Sequence, residues 1–394
     1  MSRTQMLQEI RVMRFEEIYD RFTHGRLSAA EAAAWLGVSE RSFRRQRARY
    51  EEEGMEGLLD RRLGRASPRR AAVDEALRVE ELYRTRYTGW PVKHFHEHLV
   101  ERHGIARSYG WTKSVLHACG LVRPAPKRSA HRKKRPRRPV PGMMLHQDGS
   151  RHLWLAALGR QVDLIVTMDD ATNEVYSAFL VEEEGTASTL RALLETFTAQ
   201  GLPCALYTDR GSHYFHTPVQ GGRVRKETPT QVGRALAQLG IEHIAAYSPQ
   251  ARGRSERMFG TLQGRLTREM ADAGITTLEA ANRFIKEVYL PDHNRRFRVT
   301  PEQEGTAFTP CGTAPLADIL CIQEERTVGN DNTVRHEGRV LQIPPSALRP
   351  HYVKCKVRVH AYPDGALAVF HGPRRIAAFE PDGQPRPHVS HQAA

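Results

Sequence analysis

The sequence predicts a multidomain protein with three kinds of domain in chain order: all-α helical modules, a mixed α/β domain and a small β-barrel. Three observations support this prediction. The basic surplus lies in the first third of the chain, helical periodicity gives way to short apolar strands after residue 142, and alternating apolar and polar residues follow residue 310. At about 150 residues per domain, a chain of 394 residues can form two to four domains.

The charge of the chain is unevenly distributed. The formal net charge is +14, and the chain up to residue 140 contains 31 Lys and Arg against 17 Asp and Glu. The remainder carries 28 residues of each sign and is therefore balanced. This asymmetry favours a polyanionic partner for the first third, whereas the rest has the composition of an ordinary globular protein.

Cysteine usage and hydropathy predict the compartment. The five cysteines are scattered, odd in number and without a C-x-x-C pair, which is typical of reduced thiols in a cytosol. The N-terminus opens M-S-R-T-Q without an apolar signal segment, and no run of about 18 apolar residues occurs in the sequence. We therefore expect a cytoplasmic, nucleoid-associated protein with no membrane partner.

Residues 28–53 have the pattern of a helix-turn-helix. An Ala-rich helix is followed by a turn at Gly37, and Ser39 is placed as the N-cap of a second helix. Its small core would contain Ala33, Leu36, Val38 and Phe43. We expect a DNA-binding domain over residues 1–70, in which five arginines of the second helix can reach phosphates and base edges: Arg41, Arg44, Arg45, Arg47 and Arg49. The alternative is a charged helix that only faces water.

A second helical DNA-binding domain is predicted over residues 71–122. Helices are expected to start near Asp74 and Pro91, and Ser108 is placed to cap a third. His94 and His98 lie four residues apart on one face of the middle helix, which is a spacing compatible with zinc. The sequence nevertheless favours no metal there, because no cysteine or carboxylate pattern completes a closed tetrahedral site.

Residues 123–141 form a predicted linker with nine basic residues and five prolines. Such a segment cannot bury a core and should be extended. Its basic residues, including Lys133 and Lys134, are expected to lie along DNA phosphates. The alternative is a solvated tether.

Residues 142–310 are predicted to form the α/β domain. Strands are expected at residues 144–148, 162–168, 174–181, 205–209 and 241–247, and helices at residues 186–200, 228–239 and 254–273. Residues 311–394 are predicted to form a small C-terminal β-barrel, or a sheet, with a flexible tail. Within it, Asp364 and Gly365 give a hairpin signal between two alternating segments.

Three carboxylates stand out in the α/β domain. Asp148 ends its first strand, Asp209 ends its fourth, and Glu256 lies in the first turns of its long helix. Strand ends are where such a sheet presents its chemistry, and three carboxylates can share two divalent metal ions. Two other acids, Asp169 and Asp170, fall where a turn is expected, so turn chemistry is favoured over catalysis for them. His146 and His152 are expected to be structural or to position DNA.

The segments around these three acids resemble a known family. The segments are L-H-Q-D-G-S, Y-T-D-R-G-S-H-Y and Y-S-P-Q-A-R-G-R-S-E-R. They are similar to the catalytic signatures of the DDE transposases of bacterial insertion sequences, which share the retroviral integrase core. The flanking residues D-x-G-S and S-P-Q-x-x-G-x-x-E match as well as the acids do. The resemblance implies a ribonuclease H-like core in which Asp148, Asp209 and Glu256 bind two Mg²⁺ (or Mn²⁺) ions.

The resemblance also implies a function. The expected protein is a DNA transposase, a polynucleotidyl transferase that binds the terminal inverted repeats of its element and catalyses metal-dependent DNA cleavage and strand transfer. Its partners would be double-stranded DNA at the element ends and at the target, and a second copy of the chain, because joining two ends requires at least a dimer on DNA. Arg252, Arg254 and Arg257 are expected near the scissile phosphate, and Gly211 and Ser212 are expected to shape the loop after Asp209.

Two alternatives remain open at the level of sequence. One is a catalytically silent, transposase-derived DNA-binding regulator, and the other is a nuclease with the same core that acts on structured nucleic acid. The sequence also departs from the usual integrase pattern, because 46 residues separate Asp209 from Glu256. The additional length appears within residues 214–230, which are expected to form a surface loop.

Overall fold

The computed structural model describes residues 3–60, 71–124, 126, 136–218, 222–225, 227–247, 253–312, 315–345 and 349–386. The chain divides into two compact units, Met1–Glu81 and Leu82–Ala394. Most of the predicted linker, with Lys133 and Lys134, lies outside the described residues, and so does Arg252.

The first unit contains the predicted helix-turn-helix. Its helices are α1 (Arg3–Thr23), α2 (Ala29–Leu36) and α3 (Glu40–Glu53). Gly37 ends α2 in the left-handed conformation at φ 68°, and the Ser39 side chain accepts a hydrogen bond from the Ser42 amide at the start of α3. The expected turn and N-cap are therefore confirmed. The sequence analysis did not identify α1, which contributes Phe15 and Ile18 to the core beside Phe43.

Three further helices follow: α4 (Val73–Thr85), α5 (Val92–His103) and α6 (Tyr109–Ala118). They begin where the sequence predicts. Pro91 precedes α5, and the Ser108 hydroxyl caps α6 by accepting a hydrogen bond from the Trp111 amide. In the second unit, the Tyr83 hydroxyl donates to the Trp90 carbonyl, so the turn between α4 and α5 is fixed by a buried side chain.

The α/β domain is built on a five-stranded sheet. Its strands are β1 (Leu145–His152), β2 (Val162–Asp169), β3 (Val175–Val181), β4 (Ala205–Thr208) and β5 (Glu242–Ala245). The spatial order is β3-β2-β1-β4-β5, with the first three strands antiparallel and β1, β4 and β5 mutually parallel. This mixed sheet confirms the predicted α/β core, and it places β1 at the centre.

Helices cover both faces of this sheet. The helices α7 (Thr186–Gln200) and α8 (Gln231–Gln238) bury one apolar cluster with β1 and β4, and α9 (Gly253–Asp272) buries another with β2 and β3. Alternation along β2 separates these clusters, because Leu164 and Val166 join the α9 side whereas Ile165 packs with Ala192 of α7. β2 is buried along its whole length, and Leu164, Ile165 and Val166 form its apolar centre.

Two asparagines satisfy backbone groups of β3, an edge strand of the sheet. The chain continues through α10 (Leu278–Phe284), a π-helical turn (Ile285–Tyr289) and α11 (Leu290–Phe297) along the outer side of β3. The Asn282 side chain accepts from the Leu180 amide at 2.6 Å and donates to its carbonyl at 3.0 Å. Asn294 makes the same pair of hydrogen bonds with Val175, at 2.9 and 2.8 Å. These amides satisfy backbone groups that an edge strand would otherwise leave free.

The C-terminal region is an open sheet, so the predicted β-barrel is wrong. After α12 (Leu316–Ile319) come β6 (Ile322–Thr327), β7 (Thr333–His336), β8 (Arg339–Gln342), β9 (Lys356–Ala361), β10 (Leu367–His371) and β11 (Arg374–Phe379). Four of these strands pair in the order β11-β10-β9-β6, and β7 and β8 form a separate hairpin. Within the described residues no pairing joins β11 to β6, so the sheet does not close. The hairpin expected at Asp364 and Gly365 is confirmed between β9 and β10.

The segment expected as a surface loop begins inside the core. Tyr214 and Phe215 are buried in the cluster formed with α7 and α8, so the expectation is wrong for these two residues. Polar and glycine-rich sequence predicts loops well, but two aromatic residues at its start are enough to anchor the loop. No helix among the described residues is both long and apolar enough to cross a membrane.

The asparagine pairs at the sheet edge yield a first prediction. Asn282→Ala should lower the free energy of unfolding by about 1–3 kcal/mol, because it leaves both backbone groups of buried Leu180 without a partner. The higher helix propensity of Ala offsets about 0.5 kcal/mol of this loss. Urea unfolding of the variant and of the exposed control Asn330→Ala measures the effect. Equal stabilities of the two variants would contradict the edge-closing role.

Candidate active site

Asp148 and Asp209 lie on neighbouring paired strands. The parallel pairing of β1 with β4 places Leu145 beside Leu206 and His146 beside Tyr207. Two residues further along both strands, the same register brings Asp148 level with Asp209, which directly follows β4. Adjacent strands are about 4.8 Å apart, so the two carboxylates lie side by side. Asp148 is the fourth residue of β1, so the expectation that it ends its strand is wrong: antiparallel pairing with β2 extends β1 to His152. Asp148 is buried and Asp209 is half-buried.

The loop after Asp209 turns back onto its carboxylate. The Gly211 amide donates to Asp209 Oδ1 at 2.8 Å. A Cβ at position 211 would lie 2.9 Å from the His213 ring and 3.1 Å from Asp209 Oδ1, so a side chain there would require the His213 ring to shift. This geometry agrees with the role expected for Gly211 in shaping the loop. Ser212 lies on the same turn and is exposed.

A fourth carboxylate, Glu184, borders the two aspartates. It follows β3, and its side chain lies so close to Gly149 that a Cβ there would overlap the carboxylate. The Tyr214 hydroxyl donates to Glu184 Oε1 at 3.5 Å, and His213 Nε2 lies 3.4 Å from the same oxygen. Sequence analysis did not identify Glu184, because the signature that follows Asp148 includes Gly149 without indicating which side chain occupies the space beside it.

The pKa of Tyr214 is raised by all three of these acids, so they lie close to one another. Burial of the phenol raises its pKa well above the usual value of 10.0, and the negative charge of Glu184 raises it further. Asp148 and Asp209 add smaller contributions of the same sign. Three carboxylates thus act on one buried hydroxyl, which stays protonated and can donate to Glu184 at any physiological pH.

The start of α9 is fixed to the sheet by a buried ion pair. Arg254 Nη1 lies 2.5 Å from Asp170 Oδ1 and donates to the Asp170 carbonyl at 2.9 Å. His146 Nε2 is 2.7 Å from the same carboxylate oxygen, so β1 joins the pair. Burial alone would raise the pKa of Asp170, but the hydrogen bond from His146, the Arg138 amide and the charge of Arg254 lower it well below its usual range. The Asp170 carboxylate is therefore ionised, and it connects three elements of the domain.

A second contact fixes α9 farther along β1. Gln263 donates to the Ser150 hydroxyl at 3.3 Å. His146, Asp148 and Ser150 alternate along β1 and share one face of the strand. The helix is consequently attached on both sides of Asp148, and the first turn of α9, which carries Glu256, is held beside the part of β1 that carries Asp148.

Glu256 itself is exposed on this first turn. The structure brings the elements of the three predicted acids together, but not the three carboxylates into one tight cluster. Across the described ranges, the one group of three potential ligands with all ligand atoms within 4.8 Å of one another is His94, His98 and Glu269. Like charges repel each other, so three carboxylates approach one another closely only when cations lie between them.

The first unit matches a known family of DNA-binding domains. A family model described as "Winged helix-turn helix" matches residues 23–78. The chain is 31% identical over 357 residues to the putative transposase y4bF of Sinorhizobium fredii (strain NBRC 101917 / NGR234), a match that covers 90% of this chain and 77% of that relative. The chain belongs to the transposase family. It is also 26% identical over 354 residues to the transposase for insertion sequence IS1202 of Streptococcus pneumoniae, covering 80% and 74% of the two chains.

Solved structures similar to this transposase include retroviral integrases. The HTLV-2 integrase catalytic core domain in complex with magnesium matches with 18% identity and a TM-score of 0.28, over 38% of this chain and 89% of that one. The simian T-cell lymphotropic virus intasome in complex with the PP2A regulatory subunit B56 gamma matches with 16% identity and a TM-score of 0.31, over 77% and 99%.

The other acids and histidines singled out in the sequence have structural partners. Asp169 closes the β2–β3 turn as expected, because its Oδ1 accepts from the Thr172 amide at 2.8 Å. Its Oδ2 accepts from the Gly142 amide at 2.8 Å. His146 binds Asp170, in agreement with its expected structural role, and the ring of His152 packs edge-on against Trp154.

The predicted DNA-contacting arginines of the transposase differ in their surroundings. On α3, Arg44 pairs with Glu40 within the helix, and Arg47 lies 5.5 Å from the centre of the Phe22 ring. Arg41 and Arg45 are exposed, and Arg49 is half-buried. On α9, Arg254 is engaged with Asp170 whereas Arg257 is exposed. Contacts of all these residues with DNA stay predictions.

The buried Asp170 pair yields a second prediction, with a defined pH dependence. A carboxylate whose pKa is lowered on folding stabilises the protein above its unfolded pKa, near 3.8, and this stabilisation is lost as the pH falls further. Asp170→Asn should cost about 3–5 kcal/mol at pH 7, because Arg254 and His146 lose their buried partner. Below about pH 4 the difference from the unmodified chain should shrink.

The measurement is urea unfolding at several pH values between 7 and about 3, with the exposed Asp74→Asn as control. A stability difference that stays constant over this range would show that Asp170 does not act through its charge.

Proposed function

We propose that this transposase cleaves DNA at the ends of its element and joins them to target DNA at a centre formed by Asp148, Asp209 and Glu256. The observation that carries the proposal is the level placement of Asp148 and Asp209 on paired parallel strands, with α9 attached to β1 on both sides of Asp148. Asp209 lies at the end of β4, and strand ends of an α/β sheet are the usual place for such a centre.

The donor set fits two divalent cations. Carboxylate oxygens are hard ligands that suit Mg²⁺ or Mn²⁺, and the three acids leave room for phosphate oxygens and water. When bound, such ions would activate the attacking hydroxyl and stabilise the leaving oxygen in an in-line displacement. Asp148 and Asp209 are held by the sheet, whereas the exposed Glu256 can approach them from the helix. Glu184 positions the loop after Asp209 through His213 and Tyr214.

DNA binding is assigned to the N-terminal modules. The match to a winged helix-turn-helix model, the surplus of basic residues before residue 140 and the arginines of α3 support this assignment. In this proposal residues 1–70 and 71–122 bind the inverted repeats of the element, and residues 123–141 follow the phosphates with Lys133 and Lys134. Residues 142–310 catalyse transfer. Residues 311–394 assist assembly. Because two ends must be joined, at least two copies of the chain act together on DNA.

Three arginines near the reacting phosphate have different roles. Arg257, exposed one residue after Glu256, is placed to contact DNA directly. Arg254 acts mainly through its ion pair, which holds the first turn of α9 in place. Arg252 is assigned a phosphate contact from its place in the sequence signature.

A third prediction separates chemistry from binding. Glu256→Gln keeps the volume of the side chain but removes the charge that cations need, so strand transfer should fall by more than about a hundredfold. Affinity for DNA ends should persist, because the helix-turn-helix does not use this residue. The matched control is Glu279→Gln, which changes an exposed glutamate in the first turn of another helix, α10. Transfer and end binding are measured on the same preparations with Mg²⁺.

Two outcomes would contradict the assignment of Glu256. Full transfer by Glu256→Gln would remove it from the centre. Loss of both transfer and end binding, together with a lowered melting temperature, would show that the residue stabilises the fold. Loss of transfer in the control as well would mean that substitution of any exposed helix-start glutamate disturbs the protein.

A fourth prediction concerns recognition by α3. Replacement of the exposed Arg41 and Arg45 by Ala should reduce the preference for element ends over random DNA, by about 1–3 kcal/mol for each lost base contact. If one of them contacts a phosphate instead, the slope of log affinity against log salt should fall by about 0.9. Competition binding at several salt concentrations distinguishes the cases, with the exposed Arg283→Ala as control. Unchanged selectivity and slope would remove α3 from the interface.

A further inference from the structure

Two histidines of α5 and one glutamate of α9 converge at a site remote in sequence from the proposed active centre. His94 Nε2 is 2.7 Å from Glu269 Oε1, and His98 Nε2 is 2.8 Å from the same oxygen. His94 and Glu269 are 175 positions apart in the chain. The glutamates of α5 itself, Glu97 and Glu101, pair with Arg265 and Arg296, and the fold supplies the carboxylate beside the histidines from α9.

These three side chains are held in a buried, rigid setting. The side chains of His94 and His98 are 3% and 4% exposed, and that of Glu269 is 14% exposed. The Trp90 ring stacks on His94 at 4.3 Å between ring centres and packs edge-on against His98 at 4.9 Å. The imidazoles are therefore fixed with both Nε2 atoms directed at one carboxylate oxygen, while the small exposed part of Glu269 leaves a route for an ion.

The second oxygen of Glu269 is already engaged. Arg102 lies 3.3 Å from Glu269 Oε2 and 2.7 Å from Asp272, which also accepts from Arg86 at 3.0 Å. Oε1 is thus directed at the histidines while Oε2 faces the arginine. Arg86 and Arg102 carry two positive charges, and Asp272 and Glu269 carry two negative ones, so these four groups are balanced before an ion binds.

The Nδ1 atoms of both histidines have no hydrogen-bond partner within the described part of the chain. Glu269 Oε1 can only accept, so it holds the imidazole protons on the two Nε2 atoms. For a metal to bind, each proton moves to Nδ1, and the Nε2 lone pair is then free for the ion. The missing outer partners also mean weaker binding than in sites where each ligating imidazole donates to a carboxylate or carbonyl.

We propose that His94, His98 and Glu269 bind one divalent transition-metal ion of the Zn²⁺ type, which fastens α5 to α9. Two imidazoles and one carboxylate favour zinc or cobalt over the Mg²⁺ of an all-oxygen site. Tetrahedral Zn²⁺ with ligand bonds of about 2.0–2.1 Å separates its ligand atoms by about 3.3 Å. The present 2.7–2.8 Å contacts need to widen by only about half an ångström. The fourth ligand is water.

The experiment uses the full-length chain, stripped of metal and titrated with Zn²⁺ in an excess of Mg²⁺, so that the carboxylates of the proposed active centre are already occupied. We expect uptake of one Zn²⁺ per chain and a raised melting temperature. Replacement of Zn²⁺ by Co²⁺ should give the strong visible absorption of a four-coordinate site. His98→Gln and Glu269→Gln should weaken uptake by at least about tenfold, whereas His117→Gln, a half-buried histidine of α6, should not change it.

Absence of Zn²⁺ uptake by the unmodified chain would overturn the proposal, and so would equal uptake by the unmodified chain and both variants. If neither variant folds, X-ray absorption at the zinc edge of the unmodified chain decides. Nitrogen neighbours at about 2.0–2.1 Å support the site, whereas a shell of oxygens alone overturns it. Because uptake, spectra and melting are measured without DNA, failure here leaves the proposed transfer chemistry untouched, and failure of transfer leaves this site untouched.

Discussion

The architecture of the α/β domain depends on the buried carboxylate of Asp170. A carboxylate that is only 1% exposed is stable as an ion when cations and donors surround it, and here these come from Arg254 of α9, the His146 ring of β1 and the Arg138 amide. Removal of any one partner leaves charge in a place that water does not reach. The position of the first turn of α9 relative to β1 is therefore set by electrostatics as well as by apolar packing.

This constraint links structure to the proposed chemistry. Asp148 lies two residues after His146 on the same face of β1, and Glu256 lies two residues after Arg254 on α9. An interaction that fixes His146 to Arg254 through Asp170 thus also limits how far the two acids can separate. Asp209 depends instead on the parallel pairing of β1 with β4, so two different kinds of force position the three acids.

Sequence analysis predicted the elements of the core well because their signals are local. Capping by Ser39 and Ser108, the apolar segment of β2 and the hairpin at Gly365 each depend on residues within a few positions. The position of Asp209 directly after β4 follows from the same local patterns, whereas Asp148 lies inside β1, which continues to His152. The candidate DNA contacts and the domain boundaries remain predictions, because they concern partners and segments that local patterns do not define.

Interactions between distant parts of the chain escaped sequence analysis. Asn282 meets Leu180 and His94 meets Glu269 across more than a hundred positions, and no periodicity connects such pairs. The position of Glu184 beside Gly149 could not be predicted from the sequence for the same reason. The expected barrel failed because alternation specifies strands and their faces, whereas closure depends on which edges pair.

The central claim is that Asp148, Asp209 and Glu256 share divalent ions once DNA is present. The most direct measurement is the anomalous scattering of Mn²⁺ in crystals of the chain bound to a DNA end. Our account predicts two peaks about 3.5–4 Å apart between the aspartates and Glu256, with the Glu256 side chain turned inward from its exposed position. Peaks elsewhere, or Glu256 still facing solvent with both ions bound, would contradict it.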